Sequence, residues 1–141
     1  FEGGEFAIRA LLFETNGVAV SADAAYDWVR ASFDGGGVPP RIPPSSLTLG
    51  LSADGERWSG RVEILDVAEQ DRLAAFETAT DGYTFFNASL AFRPHGEDSN
   101  WSLRLDARNL GDELGRVHSS FLKDDIVLPG RNVRLTFLTN F

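Results

Sequence analysis

The side chains that could do chemistry are concentrated in two stretches of the sequence, 66–81 and 118–125. Carboxylates and imidazole are suitable zinc ligands, so the two stretches could hold a cation if the fold brought them together. However, the chain has two His and no Cys, and it contains neither an HxH nor an HxxxH spacing. Acidic loops are more often solvated, so we predict no metal site. The candidates kept for contact with a substrate are Asp71, Glu77, His118, Asp124 and Asp125.

Hydrolysis is the other chemistry that these residue types suggest. Ser119 and Ser120 adjoin His118, and two Asp residues follow, which supplies the types of a catalytic triad. A triad depends on placement in space, and the sequence has no G-x-S-x-G nucleophile elbow. The glycines at 35–37 also lack the spacing of a nucleotide-binding loop. We therefore predict no catalytic residue and no cofactor, and we do not expect an enzyme.

Composition limits the class of protein further. The chain has 141 residues, the size of one ordinary domain, and its net charge of -8 argues against nucleic acid as a partner. Without Cys there is no disulfide framework. No stretch approaches the roughly 18 consecutive apolar residues of a transmembrane helix, although barrel strands are shorter and alternate. Fourteen glycines and 11% aromatic residues suit an all-β chain with tight turns.

Alternation of apolar and polar residues predicts seven β-strands. In the C-terminal stretch, Val133, Leu135 and Phe137 alternate with Arg134 and Thr136. A period of two places the two sets on opposite faces of a strand. The chain then ends on an aromatic residue, which is unusual for a soluble strand. The seven alternating segments are 5–14, 18–33, 46–53, 57–67, 82–93, 101–110 and 128–141.

The connections between these segments alternate in length. Asn16-Gly17 is a strong hairpin signal because both residues tolerate positive φ, and Asp54-Gly55 is the next predicted tight turn. Long connections at 34–44, 69–81 and 111–130 separate the short ones. Outer-membrane barrels have short periplasmic turns and longer extracellular loops, so all long connections should lie on one rim.

Large aromatic residues lie near strand ends on the apolar face. Trp58, Phe92, Trp101 and Phe141 all fall at the predicted short-turn end, as an interfacial girdle would. A soluble β-barrel or sandwich that binds an apolar ligand would show the same alternation with the faces reversed. Alternation alone leaves both architectures open, whereas the loop lengths and the aromatic positions favour a membrane barrel.

A resemblance to a known family is carried by residues 107–113, Ala-Arg-Asn-Leu-Gly-Asp-Glu, and by the final strand. This part resembles the C-terminal part of a TonB-dependent outer-membrane receptor. In that family an Asn-Leu-x-Asp motif commonly ends the penultimate strand, and Pro-Gly-Arg opens the last one. Shorter similarities at 69–72, 80–83 and 118–131 resemble a subgroup that includes zinc-uptake receptors. The matching residues are Asn109, Leu110, Asp112, Pro129, Gly130, Arg131 and Phe141.

The resemblance implies an all-β fold of antiparallel up-and-down strands, the C-terminal segment of a transmembrane β-barrel. Residues 1–141 would form a partial barrel of about seven C-terminal strands, with the plug domain and the TonB box absent from this sequence. The implied location is the Gram-negative outer membrane, with the C-terminus on the periplasmic side. The implied function is receptor-mediated import of a scarce nutrient, such as a metal chelate or a metal ion, coupled to energy through TonB.

The resemblance also implies partners and gives the polar face a role. The expected partners are outer-membrane lipid, TonB and the plug domain through the missing N-terminal part, and the barrel-assembly machinery through the strand ending at Phe141. Charged residues on the polar faces would point to the lumen, where we interpret them as a lattice of ion pairs; contact with the plug or guidance of a charged substrate is the alternative. These lumen-facing candidates are Arg61, Glu63, Arg104, Asp106, Arg108 and Arg134.

Overall fold

The computed structural model describes residues 1–139, in which seven antiparallel strands form one sheet in chain order. The predicted all-β, up-and-down architecture is therefore confirmed. Residues 1–139 contain no helix with the length and apolar composition that a membrane-crossing helix needs. The C-terminal Phe141 lies outside the described residues. The strands are β1 (Glu2–Thr15), β2 (Val18–Arg30), β3 (Ser46–Gly55), β4 (Trp58–Val67), β5 (Tyr83–Phe92), β6 (Trp101–Arg108) and β7 (Asn132–Thr139).

The hairpin prediction is correct at the first turn and wrong by two residues at the second. Asn16 and Gly17 have φ values of 49° and 73°, as a two-residue turn of the I′ type requires. Gly55 instead stays in β3, because it pairs with Val18 of β2. The chain reverses after it, at residues 56–57.

All three long connections lie on one rim of the sheet, because consecutive strands pair in antiparallel order throughout. This confirms the predicted arrangement of long and short connections. We name the long connections loop A (residues 31–45), loop B (68–82) and loop C (109–131). The short turns, including a 3-10 turn at Gly96–Asp98, lie on the opposite rim.

The sheet has two unlike faces. The apolar face carries side chains such as Ile8, Leu49, Val62 and Leu90. The charged face carries ionic and amide side chains from β1 to β7. Its principal residues are Arg9, Asp23, Arg61, Glu63, Asn87, Arg104, Asp106, Arg108 and Arg134.

The apolar face is bare. Val62 is 55% exposed and Leu135 is 69% exposed, although both are large and apolar. Among residues 1–139, the buried hydrophobic residues are Ala31 and Phe85 alone. A soluble sandwich would cover such a face to make its core, so the exposed face favours a membrane barrel over the soluble alternative.

The aromatic residues at the short-turn rim form a continuous row. Ring centroids are 4.3 Å apart for Trp58 and Phe92, 6.0 Å for Phe92 and Trp101, and 5.9 Å for Trp101 and Phe137. Adjacent strands supply neighbouring rings because their registers align these positions. The predicted aromatic row is thus formed, while the predicted contribution of Phe141 falls outside the described residues.

Candidate functional site: the charged face and the loop network

The charged face is organised around Arg61 on β4. Its guanidinium donates to both carboxylate oxygens of Asp23 on β2, at 2.5 and 2.8 Å. It also donates to Glu63 Oε2 at 3.0 Å and to Ser52 Oγ on β3 at 3.2 Å. Bidentate guanidinium–carboxylate pairs are the more specific kind of ion pair. One side chain therefore ties three adjacent strands together.

Gly50 makes this reach possible. It lies on β3, between Asp23 on β2 and Glu63 on β4. A Cβ at Gly50 would collide with the Arg61 guanidinium, which passes directly over the glycine. The absence of a side chain at position 50 thus opens the route from β4 to β2.

The network continues from β4 to loop C. Asn87 on β5 donates to Glu63 Oε1 at 3.1 Å, and its own Oδ1 accepts the Asn109 backbone N–H at 3.0 Å. Asn87 therefore forms hydrogen bonds through both its amide nitrogen and its amide oxygen. It links the charged face to the first residue of loop C.

A second group of charges lies on β6 and β7. Asp106 is buried, and its carboxylate accepts from Arg104 at 2.9 Å. Arg134, its partner in the β6–β7 register, approaches the same carboxylate to 3.6 Å. Arg108 lies two residues further along β6, opposite Asn132. The lumen-facing candidates thus share one face of the sheet, and five of the six take part in ion pairs.

The long loops pack on one another through buried polar side chains. We use the word hub for a side chain that contacts more than one segment of the loops, and Glu77 of loop B is the first hub. One carboxylate oxygen accepts the Arg41 backbone N–H of loop A at 2.7 Å. The other accepts the Ala74 N–H within loop B at 3.0 Å. Burial opposes ionisation of Glu77, but these hydrogen bonds, together with nearby positive charge, hold its pKa below the ordinary value.

His118 brings loop C to the same point. Its side chain is fully buried, and its Nδ1 is hydrogen-bonded to Thr80 Oγ1 at 2.9 Å. Its Nε2 lies 3.4 Å from Glu77 Oε1 and has no hydrogen-bond partner among the described residues. Burial is the main cause that lowers the pKa of His118, and it outweighs the opposing charge of Glu77. The neutral imidazole is therefore favoured.

Lys123 forms the second hub between loops B and C. Its side chain is buried, and its ammonium donates to the Thr78 carbonyl at 2.7 Å, to the Thr78 hydroxyl and to Asp124 Oδ1 at 2.9 Å. Thr78 Oγ1 also donates to Asp124, at 2.6 Å. The Thr78 hydrogen bond, together with Lys123, lowers the pKa of Asp124. All three hydrogen-bonding capacities of the ammonium are thereby met.

The motif that carries the family resemblance closes loop C at its two ends. Asn109 is almost fully buried at φ 48°, and its side-chain amide donates to the carbonyls of Glu113 at 2.9 Å and Pro129 at 3.2 Å. Asp112 accepts the Arg131 N–H at 2.8 Å. The start and the end of this long loop are therefore pinned together by two side chains.

The structure divides the five loop candidates. Glu77 and His118 meet in the buried network, and Asp124 joins it through Lys123. Asp71 and Asp125 are exposed, and neither side chain takes part in a hydrogen bond or ion pair described for residues 1–139. Within that range, no group of three or more His, Cys, Asp and Glu residues could hold a metal ion.

The residues missed by the sequence patterns are those that complete the loop network: Arg41, Thr78, Thr80 and Lys123. Their contacts join positions 36 to 46 residues apart, with no periodicity to reveal them. The triad types do not assemble around the imidazole either. His118 is bonded to Thr80, and Ser120 Oγ accepts the Leu122 N–H at 3.1 Å.

The sheet has one exposed apolar face and one charged face, with long loops on one rim and aromatic rings on the other. This arrangement is typical of the wall of a membrane β-barrel. Residues 1–110 match the family described as "TonB dependent receptor-like, beta-barrel", and the chain belongs to that family. Membership implies the Gram-negative outer membrane. It also agrees with the prediction of a receptor that is not an enzyme.

A solved structure named "Copper transporter OprC" has the same fold. The match has a TM-score of 0.75 and 24% sequence identity, and it covers 99% of this chain. It covers 23% of the transporter chain, so the sequence spans about a quarter of that protein's length. The subgroup resemblance to zinc-uptake receptors stays a prediction.

Proposed function

We propose that residues 1–141 form about seven C-terminal strands, with their external loops, of a receptor that imports a scarce nutrient across the outer membrane. The observation that carries this proposal is the contrast between the two faces. Val133, Leu135 and Phe137 are each at least 60% exposed on one face of β7. Arg134 reaches Asp106 on the other face. Such a strand fits lipid on one side and an aqueous or protein-filled lumen on the other.

The proposed orientation follows from the connections. β7 runs from the end of loop C, the longest connection, toward the rim of short turns. Because outer-membrane barrels keep short turns on the periplasmic side, the C-terminus would face the periplasm. The barrel-assembly machinery would then recognise the strand that ends at Phe141, and the aromatic row would lie at the inner interface of the membrane.

Energy coupling through TonB and a plug domain would come from parts of the receptor outside this sequence. Family membership supports both partners for the whole receptor. The proposed substrate is a metal ion, a metal chelate or a similar scarce nutrient, and copper is named only for the structural neighbour. Among the loop candidates, Asp71 and Asp125 are free to meet a substrate, whereas Glu77 and His118 are committed to holding the loops together.

Complementation tests the proposal. A strain of the source bacterium lacking the full-length receptor would be grown with zinc, copper or iron limiting in turn. We expect a growth defect for one nutrient, restored by a plasmid copy of the receptor when TonB is present and not when TonB is deleted. Equal rescue without TonB would contradict energy-coupled import. An unrelated general porin serves as the control, because its rescue should not depend on TonB.

A further inference from the structure

The charged face changes character toward the rim of long loops. Glu63 on β4 and Asn87 on β5 belong to its hydrogen-bonded network. The residues that follow on the same face, closer to that rim, are aliphatic or aromatic, and they pair across β4 and β5 in the strand register. We call them the apolar shelf: Leu65, Val67, Tyr83 and Phe85.

Loop C covers this shelf at Gly115. The rings of Tyr83 and Phe85 have centroids 4.7 Å apart, and Gly115 lies against both. A Cβ at Gly115 would come within 2.9 Å of Phe85 Cζ and 3.1 Å of the Tyr83 ring. Phe85 is 9% exposed, whereas Phe86 on the apolar face is 47% exposed. Because the groups that bury Phe85 all lie within residues 1–139, its burial requires neither the plug domain nor further strands.

Loop C is fixed in this position by contacts along its length. The Gly115 carbonyl accepts the Leu128 N–H at 2.8 Å, which joins the outgoing and returning parts of the loop. Asn109 ties the two ends of the loop together. His118 and Lys123 attach its middle to loop B. The loop is therefore held over the charged-face side of β5, and Gly115 is where it meets the sheet.

We propose that loop C is an inward-folded ledge that narrows the outer entrance of the barrel and limits the size of solute that passes along the β4–β5 wall. Rigidly positioned loops commonly carry the selective contacts of a protein. This inference rests on the proposed function, because loop C lies over the entrance only if the charged face lines the barrel interior.

The contact at Gly115 is tested by hydrogen exchange on the full-length receptor in lipid nanodiscs. Gly115→Val forces a side chain into the two rings, so the segment 115–128 should exchange roughly tenfold faster, as overpacking of a close contact predicts. Gly111→Val is the matched control in the same loop, since nothing lies within 4 Å of a Cβ there. Equal exchange in the two variants would overturn the proposal.

The narrowing is tested with thiol reagents of two sizes. Leu65→Cys places a thiol on the apolar shelf, opposite Phe85 in the register. A small water-soluble maleimide added outside intact cells should label it, and a bulky polyethylene-glycol maleimide should not. Combining Leu65→Cys with Gly115→Val should admit the bulky reagent, whereas combining it with Gly111→Val should not.

The outcomes separate this inference from the proposed function. If the bulky reagent labels Leu65→Cys as fast as the small one, or if no reagent labels it in any background, the ledge is wrong and the membrane barrel still stands. If a lipid-confined reagent labels Leu65→Cys and the water-soluble reagents do not, the charged face is not the inner face. The proposed function then fails together with the ledge.

Discussion

The charged face and the loop network both bury polar side chains, but they are held in place by different means. On the charged face, strand register repeats the same orientation every two residues, so Arg61 and Glu63 point the same way without further help. In the loop network, the contacts at the two hubs depend on one side chain reaching another segment, as Glu77 reaches the Arg41 backbone. The first region is an extension of the sheet, and the second is assembled from single contacts.

This difference indicates how each region should respond to change. Removal of one ion pair on the sheet should weaken strands that are still held by backbone ladders. Removal of a hub in the loops should release a larger segment, because loop B has a single backbone bridge, between Gln70 and Thr80, in place of a continuous ladder. Mutations in the two regions should also be nearly additive where they share no partner.

The largest effect is expected at Gly50. Gly50→Ala places a Cβ where the Arg61 guanidinium lies, so the guanidinium must shift and its bidentate pair with Asp23 is weakened. Because the pair is partly exposed, we expect a loss of about 1–3 kcal/mol in the free energy of unfolding. Denaturant unfolding of the full-length receptor in lipid measures it. Gly60→Ala on the apolar face is the control, since a Cβ there makes only ordinary 3.6 Å contacts, with Leu90 and with the Ser89 carbonyl. Equal stability of the two variants would contradict the account of the charged face.

A smaller and more local effect is expected at Lys123. Lys123→Met leaves the Thr78 carbonyl, the Thr78 hydroxyl and Asp124 without their buried donor. The expected cost is about 0.5–1.5 kcal/mol in the free energy of opening loops B and C, because the exposed Thr78 and Asp124 can bond to water instead, and the strands should not change. Hydrogen exchange resolved by segment measures this. Faster exchange spread evenly over β2 to β4 would show that the two regions are not independent.

The loop network should also lose stability in acid. The pKa of His118 lies below its ordinary value of 6.5, so the opened loops bind a proton more readily than the closed ones. Stability from this group is therefore complete above about pH 6.5 and falls as the pH drops below it. Glu77 and Asp124, whose pKa values are also lowered, add a second loss below about pH 4.5. Limited proteolysis of loop C across pH should show both steps, and His118→Gln should abolish only the first.

The smallest expected effect is a difference between Asp124 and Asp125, which are adjacent in the sequence. Asp124→Asn removes the charge that meets Lys123 and Thr78, so exchange in loop C should quicken. Asp125→Asn changes an exposed side chain outside the network, and exchange there should stay unchanged. Similar rates for the two variants would show that Asp124 has no special role in the loop.

These contrasts also show how far the sequence alone could predict the molecule. The strands and the charged face follow from a period of two, so the pattern of residues is enough to place Arg61, Glu63, Arg104 and Asp106 on polar faces. The reach of Arg61 to Asp23 could not be predicted, because it depends on register across three strands and on the glycine at position 50.

The loops were far less predictable. Composition indicates Glu77 and His118 as reactive types, yet Glu77 accepts from the backbone of Arg41 and Ala74, and His118 is bonded to the Thr80 side chain. Asp124 and Asp125 have the same chemistry and adjacent positions, and only the fold distinguishes them. No pattern in the sequence predicts that Lys123 is buried, because a buried ammonium is recognisable only by the acceptors around it.

The central claim is that the apolar face meets lipid and the charged face meets water. It is tested most directly by single cysteines at positions 134 to 137 of the full-length receptor, which is feasible because this part of the chain has no Cys. A lipid-confined reagent should label positions 135 and 137, and a water-soluble thiol reagent should favour 134 and 136. If positions 135 and 137 show no contact with lipid in the intact membrane, the assignment of this sheet to a membrane barrel is wrong.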